Sequence, residues 1–346
     1  MSDKISKLLN WYYKQAYSFP WRDHYTPYTI WISEIMLQQS QVNVVVPYYL
    51  RWMKKFPSLN DLLKSNIDDL LFLWQGLGYY NRVKNIFKTA HIIQNKYNGS
   101  IPNDYKQLIA LKGIGDYTAS AILTIGFNIK SIPIDGNIKR VMSRLYELDL
   151  SKIKMEKLKQ YVNNYISDIE PRHSVQALMD LGREVCIPKS PKCIICPLRA
   201  LCLSYRNQTT TIYPIRAQVK TIPAYLVVVG LIYKKNKFLI AKRLQDKFLG
   251  GLWELPGGKI KNHESEITCL AREIKEELDI QINIKEKIGA IDHQYSHFKV
   301  HIILYKCIYK AGTPKPLAAD KIEWITYKQI NKFAFPRGTH KLFELL

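Results

Sequence analysis

CIPKSPKCIICPLRALC, residues Cys186–Cys202, is the stretch whose reading decides the fold. Its cysteines, Cys186, Cys193, Cys196 and Cys202, are separated by six, two and five residues. Four thiolates this close in sequence can close around one metal centre without help from elsewhere in the chain. The prolines and basic residues between them describe a surface knuckle rather than a core segment. Four-cysteine ligation suits an iron–sulfur cluster or structural zinc. Zinc sites usually pair two short C-x₂₋₄-C hooks across a longer gap, and only one hook here is that short. The other cysteines, Cys269 and Cys307, read as ordinary buried residues.

Outward from this loop, the 346 residues favour two domains, each with enough apolar sequence for its own core. No run is long and apolar enough to span a bilayer. The first residues, MSDKISKLLNWYYKQAYSFPW, lack a signal peptide's apolar region and cleavage site, and read as an amphipathic helix. Cysteines in a chain without an export signal imply a reducing compartment. We therefore expect a cytoplasmic protein with no membrane partner. The net charge is +22; residues 1–220 hold 30 basic and 16 acidic residues, and residues 221–346 hold 21 and 13. A polyanion touched by both halves fits this balance. A lysine-rich composition produces the same excess, so charge alone assigns no partner.

Residues 1–205 read as helices, because apolar residues recur at helical spacing in ISEIMLQQSQVNVVVPYYLRWMKKF (32–56), in 67–73 and in SVQALMDLGREVC (174–186). Residues 206–223 are polar, carry prolines and lack periodicity, and read as a linker. Residues 224–346 change character. AYLVVVGLIY and KFLIAKRL are short β-branched runs, and KVHIILYKCIYK alternates, so a strand-rich α/β domain follows the helical one.

A second motif is LKGIGDYTA, Leu111–Ala119, where Gly113 and Gly115 join two helical stretches. Glycines allow a tight turn and close approach of another chain. Amide groups at the next helix start can hold a phosphate. With this hairpin about seventy residues before the cysteine loop, the chain resembles the MutY family of adenine DNA glycosylases, in the endonuclease III superfamily. The blocks that carry the resemblance are FPWR (19–22), WISEIMLQQSQV (31–42), GLGYY (76–80), the hairpin, IDGNIKR (134–140) and the cysteine loop. It implies an all-α helix-hairpin-helix glycosylase domain with a [4Fe–4S] loop, followed by an α/β Nudix-like domain. It also implies a substrate: double-stranded DNA with adenine opposite 8-oxoguanine or guanine.

Breaking an N-glycosidic bond requires the base to leave neutral while the sugar takes on oxocarbenium charge. One carboxyl must donate a proton and another must stay ionised beside the sugar. Glu34 lies among Trp31, Ile32, Ile35 and Leu37, surroundings that raise a carboxyl pKa. By resemblance Glu34 protonates adenine at N7, and Asp135 stabilises the sugar cation or attacks it in a double displacement, with Asn137 in the same pocket. Tyr117 stands where strand-cutting relatives carry a Schiff-base lysine, so base removal leaves an abasic site. The flipped adenine would meet Arg22 and Gln176. Gln39 and Tyr79 would plug the gap in the helix, with Leu77 and Ser40 near the opposite base.

GGLWELPGGKIKNHESEITCLAREIKEELDI, residues 250–280, resembles the Nudix box. Glu273, Glu276 and Glu277 share a helix face there and could hold Mg²⁺. Asp279 replaces the usual glycine at a position expected to be left-handed, which aspartate tolerates. Tyr295-Ser296-His297 resembles the family's Phe-Ser-His loop for 8-oxoguanine. The domain thus reads as a lesion reader, or as a reader that also hydrolyses oxidised nucleotides such as 8-oxo-dGTP.

Overall fold

A computed structural model describes residues 3–15, 17–215 and 221–346. Its helices are α1 (Asp3–Gln15), α2 (Pro27–Leu37), α3 (Val42–Lys55), α4 (Leu59–Leu63), α5 (Ile67–Trp74), α6 (Asn81–Tyr97), α7 (Tyr105–Ile109), α8 (Asp116–Ala121), α9 (Gly136–Tyr146), α10 (Met155–Asn163), α11 (Pro171–Asp180), α12 (Leu203–Arg206), α13 (Glu266–Leu278) and α14 (Arg337–Phe343). The strands are β1 (Ala224–Lys234), β2 (Lys237–Arg243), β3 (Trp253–Glu254), β4 (Gly257–Lys259), β5 (Gln281–Gln294), β6 (Lys299–Ala311) and β7 (Ala319–Ile325). None of the helices is long and apolar enough to cross a membrane. The chain divides into two compact units: Met1–Lys64 with Asn85–Val219, and Ser65–Lys84 with Lys220–Leu346.

The first unit is helical. α1 buries Ile5, Leu8, Leu9 and Tyr12 on one face, the amphipathic helix expected there; Met1, Ser2 and Ala16 lie outside the described residues. α2 starts on a capping box, Thr26 Oγ1 accepting from the Thr29 amide at 3.1 Å, with Pro27 at its first position. It is buried all round from Ile30 to Met36, so its sequence shows no polar stripe. The apolar pattern over 32–56 suggests one continuous helical stretch, yet the chain breaks after Leu37. Gln39 is left-handed (φ 56°), and α3 restarts at Val42. The polar run Gln38–Gln41 has no apolar side chains to bury on a helix, so it turns instead.

α7 and α8 form the hairpin. Gly113 is left-handed (φ 80°), and a Cβ there would lie 2.8 Å from the Asn85 Cβ, so glycine is required. Gly115 has ordinary backbone, and a Cβ built on it meets nothing within 4 Å; its surroundings are open. Of the expected linker, residues 216–220 lie outside the described residues. The preceding part is tied down: Asn207 and Thr209 donate to Glu147, and the Tyr213 carbonyl accepts from Arg144 at 2.8 Å.

The second unit is built on a seven-stranded sheet in the order β3-β2-β1-β6-β5, with β4 added to β1 and β7 to β2. β1 and β6 run parallel, Val228 opposite Ile303; the other pairs are antiparallel. Alternate residues face two cores. Val229, Leu231, Ile240 and Leu304 pack with Phe335 and Phe343 on one face. Val228, Ile232, Leu239 and Ile303 pack with Leu270, Ile274 and Leu278 of α13 on the other. Burial on both faces explains why β1 reads as a continuous apolar run. Cys269 and Cys307 are fully buried in the α13-side core, as their sequence context suggests.

Candidate active site

In the first unit a cavity of about 740 Å³ is lined by Glu34 from α2, Tyr117 from α8, Asp135 and Asn137 at the start of α9, and Gln176 from α11. Arg22, Gln39 and Ser40 border it too. A pocket of this size can enclose a flipped nucleotide. Glu34 is 5% exposed, and the Tyr117 hydroxyl donates to its Oε2 at 2.6 Å. Burial pushes the Glu34 carboxyl up to about 7; the nearby Asp135 charge adds to this, while the Tyr117 bond and Arg22 oppose it. Burial and the same two carboxylates hold the Tyr117 hydroxyl well above its usual pKa, so it remains a donor.

Asp135 caps α9, with Oδ1 accepting from the Ile138 amide at 2.7 Å and Oδ2 from Asn137 Nδ2 at 2.8 Å. Burial raises its carboxyl, and these two donors and the Arg140 charge oppose the rise. Asn137 is fixed in turn by Arg140, which donates to Asn137 Oδ1 (2.8 Å), the Gly182 carbonyl (2.6 Å) and the Cys186 carbonyl (2.7 Å). Gly182 must be glycine, since a Cβ would lie 2.6 Å from the Asn137 Cβ. Here α11 widens into a π-turn over Leu181–Val185 and delivers Cys186.

The geometry fixes the expected pH dependence. A Glu34 that serves as proton donor loses its proton as pH rises through about 7, so the expected single-turnover rate falls on the alkaline side. An Asp135 that serves as counter-charge must be ionised, so the expected rate falls on the acid side as well. Tyr117→Phe removes a bond that favours the Glu34 carboxylate. Its pKa then rises further, and the alkaline limb moves to higher pH; a limb that stays put in a pH–rate profile contradicts this.

Arg22 is engaged more tightly than its expected role suggests. Both terminal nitrogens bind Asp180, at 2.7 and 3.0 Å, and its guanidinium lies 4.9 Å from the Phe19 ring. Its Nε is a buried donor with no partner among the described residues. Arg183 also reaches Asp180, at 3.1 Å. Asp180 escaped sequence reasoning although it lies one helical turn after Gln176, on the same face of α11.

Tyr295, Ser296 and His297 border a different cavity, of about 600 Å³, inside the second unit. Leu77 and Tyr79 line it as well, so among the expected DNA-contacting residues these two separate from Gln39 and Ser40. Gly76 (φ 92°) and Gly78 (φ 78°) bend this strip, and Tyr79 is left-handed and partly exposed. The strip is anchored: Gln75 Oε1 accepts from the Phe335 amide at 3.4 Å, and Lys242 binds both Asp68 oxygens at 2.8 Å. The Tyr295 ring packs against Phe248, Phe298 and His293, with centroids 4.6–5.2 Å apart.

On α13 the expected acidic face splits. Glu277 is turned inward, accepts from the Gly257 amide at 3.2 Å, and is pushed up to about 8 by burial and by Glu254 and Glu273. Glu273 pairs with Arg272 at 2.7 Å, and exposed Glu276 meets the same guanidinium at 3.3 Å. Arg272 is itself gripped by Glu264 through two bonds. Asp279 is left-handed (φ 54°), as expected for the residue in the glycine position.

Cys186, Cys193, Cys196 and Cys202 line one cavity with Arg144 and Leu198. Arg144 Nη1 lies 3.4 Å from Cys186 Sγ and also donates to the Ile187 carbonyl, while its Nη2 donates to the Pro188 carbonyl. Burial pushes the Cys196 thiol up to about 12 and raises Cys193 and Cys202 as well. Such thiols become thiolates only around a cationic centre. Among the described residues no three His, Cys, Asp or Glu side chains are arranged to hold a single metal ion. The four cysteines around one cavity form a donor set of the kind used by iron–sulfur clusters and by structural zinc.

Residues 32–164 match the HhH-GPD superfamily of base excision DNA repair proteins, and residues 227–345 match the NUDIX domain. The adenine DNA glycosylase of Buchnera aphidicola subsp. Acyrthosiphon pisum is 37% identical over 97% of this chain and 95% of its own. That of Buchnera aphidicola subsp. Schizaphis graminum is 35% identical over 98% of this chain and 97% of its own. The Homo sapiens adenine DNA glycosylase is 25% identical over 98% of this chain and 73% of its own. Among solved structures, a thermostable thymine-DNA glycosylase is 27% identical with a TM-score of 0.53, covering 59% of this chain and 95% of that one. A trapped endonuclease III–DNA covalent intermediate is 25% identical with a TM-score of 0.51, covering 60% and 99%.

Proposed function

This chain belongs to the MutY-type adenine DNA glycosylases, DNA N-glycosylases of base excision repair, and from that premise we propose that it removes adenine mispaired with 8-oxoguanine or guanine and leaves an abasic site. The observation that carries the reading is the buried Glu34 carboxyl, pushed up to about 7 and held by Tyr117, sharing one cavity with Asp135. Glu34 donates its proton to N7 of the flipped base. Asp135, held by two N–H donors, faces the developing sugar cation as its counter-charge or its covalent partner. Asn137 keeps that carboxylate oriented. Tyr117 has no amine to form a Schiff base, so the strand stays uncut. Borohydride trapping tests this: no dominant covalent DNA adduct forms, and a strong one would overturn monofunctional chemistry.

The cysteines of the 186–202 loop hold a [4Fe–4S] cluster whose role is structural; it keeps the basic residues Lys189, Lys192 and Arg199 on the surface for DNA phosphates. The protein acts as a monomer on nucleoid DNA in the cytoplasm.

The C-terminal unit reads the lesion with Tyr295, Ser296 and His297. 8-Oxoguanine differs from guanine by an oxygen at C8 and a donor at N7, a difference that side-chain hydrogen bonds discriminate by roughly 1–3 kcal/mol. Replacing both Ser296 and His297 with Ala therefore narrows the preference for A·8-oxoG over A·G by about 10-fold, measured as the ratio of single-turnover rates. An unchanged ratio removes the loop from lesion reading. The retained Nudix carboxylates support a second reading, Mg²⁺-dependent hydrolysis of 8-oxo-dGTP. Arg272 occupying Glu273 and Glu276 favours the reader. Turnover of 8-oxo-dGTP that disappears in Glu276→Gln and Glu277→Gln would reverse that preference.

A further inference from the structure

Two tyrosines from separate elements converge on one atom of the excision pocket. The hydroxyl of Tyr12, on α1, lies 2.9 Å from Gln176 Oε1, and that of Tyr25, just before α2, lies 3.0 Å from the same oxygen. Gln176 is 1% exposed and lines the cavity it shares with Glu34 and Asp135. We propose that Tyr12 and Tyr25 set the base selectivity of this pocket by holding the Gln176 amide with its NH₂ group toward the base.

A carbonyl oxygen has two lone pairs, and two hydroxyl donors fill both. The amide's two N–H donors are then the groups left to meet a ligand. Turning the amide over would make its N–H groups donors to the two hydroxyls. One hydroxyl could then donate to the other, since Tyr12 and Tyr25 lie within bonding reach, but the remaining hydroxyl proton would lose its acceptor, which is costly. Burial keeps the Tyr12 hydroxyl protonated, as a donor must be. Both rings are fixed as well. The Tyr12 ring lies 5.8 Å from the Arg22 guanidinium, which Asp180 clamps. The Tyr25 ring lies 4.3 Å from that of Arg172, whose Nε donates to the Ile125 carbonyl at 2.6 Å. Tyr12 thus ties together both polar side chains expected to face the base, Arg22 and Gln176.

The chemical consequence is selection by polarity. The six-membered ring of adenine presents ring nitrogens as acceptors and one amino group as a donor. Hypoxanthine, its deaminated counterpart, turns N1 into a donor and the C6 substituent into an acceptor. An amide fixed with its NH₂ toward the base fits a ring-nitrogen acceptor and opposes an N–H at that place. An amide free to rotate serves either base. Neither tyrosine touches the base; both are positioning residues.

The test uses the full-length chain, with adenine or hypoxanthine opposite 8-oxoguanine under single-turnover conditions. The Tyr12→Phe/Tyr25→Phe double variant keeps both rings and loses both hydroxyls. Its adenine rate falls about 10-fold and its adenine-to-hypoxanthine ratio narrows by at least that factor, while the melting midpoint drops with the two lost hydrogen bonds. Each single variant loses less, because one hydroxyl still orients the carbonyl. Gln176→Glu offers acceptors only, so its ratio shifts toward hypoxanthine independently of the tyrosines. A double variant that keeps the wild-type ratio overturns the proposal, whether or not its rate drops with its stability. Wild-type adenine release is the control: if it is absent, the glycosylase reading fails, and the tyrosine clamp is rejected with it.

Discussion

Glu34→Gln abolishes adenine release while lesion-duplex binding stays largely intact. Glutamine has the shape of glutamate and can still accept from the Tyr117 hydroxyl, so the buried site keeps its packing. What it lacks is a transferable proton. A positioned general acid contributes roughly 10²–10⁴-fold in rate, and that contribution is made in the transition state, not in ground-state binding. Asp135→Asn has an effect of the same kind for a different reason. Asparagine caps a helix about as well as aspartate, so α9 keeps its start on the Ile138 amide. The negative charge facing the sugar cation is gone, however, and rate is lost without loss of the fold. Near-normal single-turnover excision by either variant removes that residue from the mechanism.

The second large effect concerns the cysteine loop. The expected result is a brown purified protein whose visible absorbance fades on reduction with dithionite or on loss of iron. Colourless protein containing stoichiometric zinc after anaerobic preparation contradicts the cluster. Loss of iron is expected to slow excision too, because the loop is wired to Asp135, the proposed counter-charge, through ordinary hydrogen bonds. Arg140 bonds the Cys186 carbonyl with its Nε and Asn137 with its Nη2, and Asn137 holds Asp135. When the loop loosens, Arg140 loses its anchor and Asp135 loses its orientation. Removing outer-shell support of this sort costs about 10–100-fold. An iron-free protein that keeps the full rate on bound duplex would sever this link.

Much of the site is legible in the sequence because its signals are local. The cysteine spacing and the Gly-Ile-Gly turn each lie within a short window, and both appear where their residue types require them. Glu34 is legible because its neighbours along α2 are apolar, and the helix proves to be buried on every side. The break after Leu37 is not legible from periodicity, since the apolar residues flanking Gln38–Gln41 keep helical phase across the turn. Partners that meet only in three dimensions are also hidden. Asp180 clamping Arg22, and Tyr12 and Tyr25 meeting at Gln176, join residues more than 150 positions apart. Ser65–Lys84 reads as one more helical piece of the N-terminal half, yet it packs with Lys220–Leu346. Its anchors, the Asp68–Lys242 pair and the bond from Phe335 to Gln75, carry no pattern along the chain.

The most direct test of the whole reading is a single-turnover assay with excess purified protein on duplexes carrying A·8-oxoG, A·G or T·G, scored for abasic sites before and after alkali. The expected result is abasic sites at adenine in the first two duplexes, faster opposite 8-oxoguanine, with strands cut only after alkali and thymine left in place. Release of thymine from T·G, or no abasic product from either adenine duplex, would contradict it.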